Sequence, residues 1–173
     1  MRRVFFIILF LSAFYNHDAM ALNGEIYLHG ELVEDPCIIN MASATQTVTF
    51  GNVIKKMLYL HQRSQGYRFV IQLDECDISL GNQVAIMFNG LEDKKQPGLI
   101  ATQGMAEGIA IGLEDESGEP IAINKINFRY PLHHGTNILT FFAYISSSTE
   151  DIEKQTIVDG DFSATVTLGI SYP

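Results

Sequence analysis

Four groupings in this sequence are of residue types that could do chemistry. His133 and His134 are adjacent, Cys37 and Cys76 stand apart, Asp74–Glu75 and Asp115–Glu116 are paired acids, and Gly104, Gly108 and Gly112 recur every fourth residue. Two imidazoles can ligate zinc or copper, but neighbours on an extended chain point to opposite faces. His29 and His61 are distant in sequence, so the pair reads as loop histidines. Catalytic carboxylates need opposed geometry and shifted pKa values. These acids flank turns and read as solvated. The glycine spacing fits neither GxGxxG nor GxxxxGK[ST]. Ile109, Ile111 and Leu113 alternate through it, so packing or tight turns account for it better than a phosphate. No GxSxG elbow or serine-protease-type constellation is present. These residues imply no enzyme, no metal site and no cofactor.

The cysteines are read from the compartment. Arg2 and Arg3, the apolar run Val4–Phe14 and the small-x-small tripeptide Ala19–Met20–Ala21 make residues 1–21 an export signal. The apolar run is too short to span a bilayer permanently. No second long apolar run exists, so no stable membrane span is expected. The mature chain is expected to begin at Leu22. An exported chain meets an oxidising environment, where an even pair of cysteines reads as a disulfide. A metal pair or a catalytic thiol lacks its context: there is no CxxC and no histidine close to either cysteine. Closing that loop is worth about 4 kcal/mol on the chain-entropy argument.

Composition narrows the rest. Residues 22–173 suit one domain, and 47% hydrophobic residues supply enough material for its core. The formal charge is −9 without a basic run, which argues against a nucleic-acid partner, since phosphate neutralisation needs clustered Lys and Arg.

The elements that must position these residues are strands. The last fourteen residues are the most regular. Phe162, Ala164, Val166, Leu168, Ile170 and Tyr172 occupy every second position after Gly160, with polar residues or glycine between. That period fits a strand with one buried and one wet face. No turn or partner strand follows it, so one edge is expected to lack a neighbour, and an apolar edge of that kind invites another chain. At the other end Gly24, Ile26, Leu28, Gly30 and Leu32 share one face of a short arm. Thr45–Phe50, Tyr67–Leu73, Val84–Phe88, Gly108–Leu113, Pro120–Ile123, Ile126–Tyr130 and Asn137–Ile145 read as further strands separated by turn residues. Glu31–Asn40 continues extended, and Pro36 places it at a sheet edge or bend. Val53–Gln65 reads as an irregular loop or a helical turn, and Ser146–Asp159 as a polar loop. Strands at this spacing without a long amphipathic helix imply an all-β sandwich.

Taken in order, these pieces resemble a pilin subunit of the chaperone–usher fimbriae of Gram-negative bacteria. The resemblance covers essentially the whole mature chain. The arm Gly24–Cys37 resembles that family's N-terminal extension and first cysteine, and Val48–Gly51 its next strand and glycine. Phe69–Cys76 resembles its second-cysteine motif, Val84–Gly90 its x-F-x-G strand, and Gly108–Leu113 the segment before its central hairpin. Gly160, fourteenth from the end, and the penultimate Tyr172 match its terminal strand.

The resemblance implies an immunoglobulin-like β-sandwich lacking its final strand, completed by donor-strand exchange, which is a known case of β-strand addition. It implies three segments: the signal 1–21, a donor-strand extension 22–32 and an incomplete pilin domain 33–173. The donor face would be Gly24, Ile26, Leu28, Gly30 and Leu32. The acceptor groove, bound first by the chaperone, would lie beside Gly160, Phe162, Ala164, Val166, Leu168, Ile170 and Tyr172. The implied partners are a periplasmic chaperone, an outer-membrane usher and neighbouring pilin subunits. The product would pass through the periplasm to an extracellular fimbrium and support cell adhesion. Many large apolar residues and acidic loops make it look like a minor adaptor subunit of type 1 or P pili. The alternatives are a major shaft pilin, or a secreted glycan-binding module using loops such as Lys94–Gly98 or His133–Gly135. The absence of Trp counts against the last.

Overall fold

A computed structural model of the chain describes residues 26–30, 32, 34–126 and 128–173. The expected signal 1–21 and Leu22–Glu25 of the expected arm, Gly24 among them, lie outside these residues. The chain divides into two units at Val33 and Glu34. In the first unit no helix or strand is formed by the described residues, and Ile26, Leu28 and Leu32 are 85%, 91% and 100% exposed.

The body, Glu34–Pro173, opens with Pro36 at a bend. Its carbonyl accepts the Asp77 N–H at 2.8 Å. β1 (Ile38–Ile39) follows and pairs as an edge strand. The Asn40 side chain accepts from the Ala42 N–H and caps α1 (Met41–Ala44). α2 (Lys55–His61) ends where Gln62 turns left-handed at φ 65. The strands β2 (Tyr67–Cys76) and β3 (Gln83–Gly90) come next, then the short β4 (Ile100–Ala101) and β5 (Gln103–Gly104). After them come β6 (Ile109–Asp115), β7 (Pro120–Ile121), β8 (Phe128–Pro131) and the long β9 (Gly135–Ser147). α3 (Thr149–Glu153), β10 (Phe162–Ser163) and β11 (Val166–Ser171) complete the described elements.

All pairings are antiparallel. One sheet runs β1-β2-β9-β6-β4 with β7 on β6, a second runs β11-β3-β8, and β10 pairs with β5. The first two face each other across a core centred on Phe141, which is 0% exposed. Its ring stacks on Phe69 of the same sheet at 5.6 Å and meets Phe88 and Tyr130 of the facing sheet edge-on at 5.4 and 5.8 Å. Offset and edge-on contacts satisfy the ring quadrupoles, so the four rings fix the spacing of the layers. Alternation sorts β9: Leu139, Phe141, Ala143 and Ile145 point into the core, while Ile138 is exposed.

The outer face of that sheet explains one of the glycines. A Cβ on Gly112 would collide with the Tyr144 ring. Its absence lets Tyr144 lie flat over β6, where the Arg63 guanidinium stacks on it at 3.7 Å and forks onto Glu114 at 2.8 and 2.9 Å. Gly104 needs glycine on two counts: its φ is +131, and the backbone of Asp161 crosses too close for a side chain.

Three sequence expectations change, and one open alternative, the loop or helical turn at 53–65, is resolved as a helix. The polar loop 146–159 contains α3. Ser148 caps it by accepting from the Asp151 N–H, and the buried Asp151 carboxylate takes hydrogen bonds from Lys95, Ser148 and Thr156 at 2.7, 2.6 and 2.7 Å. Those bonds overcome its burial and lower its pKa to about 2. The stretch 53–65 contains α2, held because Leu58 is buried. Thr45–Phe50 keeps its alternation, with Val48 and Phe50 half-buried, but joins no ladder among the described residues. The terminal strand is split at Ala164–Thr165 because it changes partner, from Gly104 and Gln103 of β5 to the run Gly90–Ala85 of β3.

Candidate functional site

The site grows from the two stretches that alternate without being fully covered. From Phe162 to Tyr172 every second side chain faces inward, yet all of them stay half-buried. β11 pairs with β3 along one edge, and no described strand pairs with the other. Across from that edge runs the unladdered segment 45–53. Between them lies a groove of about 1090 Å³. Its floor is the core itself: Phe69, Ile71, Phe88, Ile111, Leu113 and Ala143. One wall is residues 43–53 and the other residues 159–166 with Leu168. The Phe50 and Phe162 rings approach to 5.8 Å across one end. At that end the Lys55 ammonium meets the Asp159 carboxylate at 2.9 Å.

An apolar slot beside an unpaired strand edge has one kind of fitting occupant. It needs an extended segment that offers backbone donors and acceptors to the edge and an apolar side chain at every second position.

The sequence-derived residues fall as follows. Cys37 and Cys76 are joined in a disulfide, Cα to Cα 4.1 Å apart, and both are buried. The bridge ties the start of β1 to the end of β2. Gly160, Phe162, Ala164, Val166 and Leu168 line the groove. Gly160 packs so closely on Met105 that a Cβ would lie 2.6 Å from the Met105 Cβ. Ile170 and Tyr172 pack against the core beyond the groove, and burial raises the Tyr172 hydroxyl pKa, with Asp35 nearby adding to the shift. Of the arm, Ile26, Leu28, Gly30 and Leu32 are described and exposed.

Sequence reasoning missed the other half of the site. In the wall Thr45–Phe50 reads from sequence as an ordinary strand and Val53 as the start of a loop or helical turn, and the floor residues read as ordinary strand positions. The available signal was the Thr45–Phe50 alternation, which marks a wet and a dry face without saying what covers the dry one. The loop Lys94–Gly98 borders a shallow polar hollow of about 500 Å³ with Gln62 and Ser148–Glu150. No aromatic side chain lines it, so it offers no stacking platform for a sugar. His133 and His134 precede β9, and the His133 N–H donates to the Asn137 side chain at 2.8 Å.

The chain matches the family described as Fimbrial protein over residues 22–173. It is 31% identical over 150 residues to the Fimbria A protein of Serratia marcescens, covering 87% of this chain and 84% of that one. It is 27% identical over 161 residues to the fimbrial adapter PapK of Escherichia coli, covering 88% and 89%. Among solved structures it is similar to the P pilus rod subunit PapA, with a TM-score of 0.70 at 24% identity over 80% of this chain and 100% of that one. At that identity the likeness speaks to the fold, the immunoglobulin-like sandwich of pilins. With the family match spanning nearly the whole sequence, the chain belongs to the fimbrial protein family.

Proposed function

We propose that this fimbrial subunit polymerises by strand donation, residues 22–32 of one subunit lying in the groove of the next. The observation that carries this is the open groove: a slot floored by core side chains, running beside the free edge of β11. Eleven extended residues span about 33 Å, enough to follow the wall through Leu168 and the rest of the β11 edge. Ile26, Leu28 and Leu32 supply three apolar anchors on one face, with Gly24 and Gly30 as the small positions between and beside them. Burying those three side chains stabilises the joint by roughly 5–9 kcal/mol before ordering is counted. Each new backbone hydrogen bond adds about 1 kcal/mol.

The same slot has to be filled before assembly, because an exposed core floor aggregates. A periplasmic chaperone strand is the proposed first occupant, and an outer-membrane usher the site of exchange. The family match beginning at residue 22 supports reading 1–21 as the leader that delivers the chain to the periplasm. The role is then structural: the chain forms part of a surface fimbrium and supports adhesion without catalysing a reaction. Two positions in the fibre fit. A minor adaptor, which the bulky body and acidic loops resemble, takes a different subunit's arm in its groove. A shaft pilin accepts its own.

Deleting Leu22–Gly30 tests the reading. The truncated chain is expected to be captured by its chaperone as well as the intact one and to be absent from sheared fibres. Fibres that incorporate it normally would overturn the proposal.

A further inference from the structure

The two ends of the body carry exposed apolar side chains that have no evident role in the fold. At the groove-mouth end α2 presents Ile54, Met57 and Leu60, three residues apart and 64%, 44% and 63% exposed. α2 belongs to that end because Lys55 bonds Asp159 at the groove wall and the carbonyl of Gln62 accepts the N–H of Ser147, the last residue of β9. At the other end the turn after Cys76 presents Ile78 and Leu80, 36% and 54% exposed. That turn is fastened to Pro36 through the Asp77 N–H, and so to the point where the arm leaves the body. The ten residues of β2 separate the two ends by about 30 Å.

We infer that these ends are complementary and that a second copy of this chain stacks on the first, its Ile78–Leu80 turn against the apolar face of α2. The inference rests on the strand-donation reading above. Its first support is tether length. From Leu32, the last donor residue, to Pro36 is four residues, about 13 Å fully extended. The donating body therefore begins at the very end of the accepting groove. Its second support is direction. If the arm entered from the end that bears Pro36, the donating body would occupy the space from which the accepting copy's own arm departs. Growth would stop after two copies. Entry at the α2 end leaves each copy's arm free and repeats without limit, as a head-to-tail contact must. That direction sets the Pro36 end of one body against the α2 end of the next. The third support is charge. On the two elements that would touch, Lys56 is exposed on α2, where Lys55 already pairs with the wall residue Asp159, while Glu34, Asp35 and Asp77 are exposed at the arm end. A chain whose two ends match each other can follow itself along a fibre, as a shaft subunit does.

Full-length chains carrying Met57→Cys or Leu80→Cys, exported into an oxidising periplasm separately and together, test this. Both positions are on the surface, and the native disulfide is buried. The expected result is a reducible covalent pair when the two variants are present together, none with either alone, and none when Leu22–Gly30 is deleted from both. The second pair, Leu60→Cys with Ile78→Cys, guards against poor thiol geometry in the first. Lys56→Glu is expected to lower the yield of the covalent pair severalfold. Arm-dependent oligomers that show no covalent pair with either set would overturn the stacking while leaving strand donation standing. Absence of any arm-dependent oligomer of this chain would overturn donation between copies and the joint with it. Covalent pairs that survive arm deletion would overturn the tether argument.

Discussion

β9 and β11 are written in the same code and end in different states. Both place an apolar residue at every second position, Leu139 to Ile145 and Val166 to Ile170, and both turn that set toward one core. β9 is bounded on both edges, by β2 and β6. Its inward residues are buried, Phe141 completely. β11 is bounded on one edge, by β3. Its inward residues Val166, Leu168 and Ile170 stop at half-burial. Periodicity of two selects a face of a strand and says nothing about its edges. An element can therefore be legible in sequence as a strand while its missing neighbour is not.

The strongest test of that contrast uses one deletion of comparable chemistry on each strand. Phe141→Ala removes the ring that touches Phe69, Phe88 and Tyr130. It is expected to destabilise the body by about 3–5 kcal/mol, whether or not the groove is filled. Leu168→Ala is expected to cost about 1 kcal/mol in the open form, because the side chain is only partly covered. With a peptide of residues 22–32 supplied in excess, its cost should rise to about 2–3 kcal/mol. Urea unfolding with and without the peptide measures both. A Leu168→Ala cost that ignores the peptide would mean that the groove is not where the arm binds, and the two strands would differ only in packing quality.

A smaller effect probes the polar counterpart on the closed side. Asp151 is 3% exposed beyond the end of β9, and its carboxylate is held ionised by Lys95, Ser148 and Thr156. Its pKa falls from 3.8 to about 2. A carboxyl whose folded pKa is depressed stabilises the fold above its unfolded value and loses that contribution as pH falls through the folded value. The contribution is therefore complete above about pH 4 and fades toward pH 2. It amounts to about 2 kcal/mol. Asp151→Asn should lower stability at pH 7 by about that amount and flatten the acid limb of the stability curve. Placed beside the open edge, this closed, fully bonded loop should unfold last, and hydrogen exchange at Ser147–Asp151 should be slower than along β11. The opposite order would erase the contrast.

How much of this was legible follows from the same rule. β2 and the terminal strand were readable because their apolar residues alternate, β3 and β9 because short apolar runs lie between turn residues, and the Cys37–Cys76 bridge because export and parity leave few options. α2 was ambiguous because Met57, Leu58, Tyr59 and Leu60 are consecutive apolar residues, and only Leu58 is fully buried. A run of that kind has neither the helical nor the strand period. α3 hid inside a polar stretch because its stabilising contact is the Asp151 network, formed with a lysine 56 residues away. Thr45–Phe50 was readable as a strand and is none, because a strand needs a ladder partner and no described strand supplies it. The split between β10 and β11 depends on which strand each half pairs with, which the run's unbroken alternation does not encode. The arm proposed as donor was visible as a pattern. The groove proposed as its acceptor was visible in one wall only, since floor residues of a groove and core residues of a closed sandwich look alike in sequence.

The smallest expected effect bears on the far edge of the same three-stranded sheet. β8, like β11, pairs with β3 alone, yet its Tyr130 is turned onto Phe141, and its hydroxyl is buried without a hydrogen-bond partner among the described residues. Burial raises that hydroxyl's pKa to about 12, with the Asp115 carboxylate as a secondary cause. A buried hydroxyl that bonds nothing is a liability of about 1 kcal/mol or more. Tyr130→Phe keeps the ring and removes the liability. It should leave stability unchanged or raise it by up to about 1 kcal/mol in urea unfolding. If β8 were an open edge in the way β11 is, water would reach the hydroxyl and the substitution would lower stability instead. The sign of that change therefore separates an edge that is merely the last strand of its sheet from an edge that waits for another.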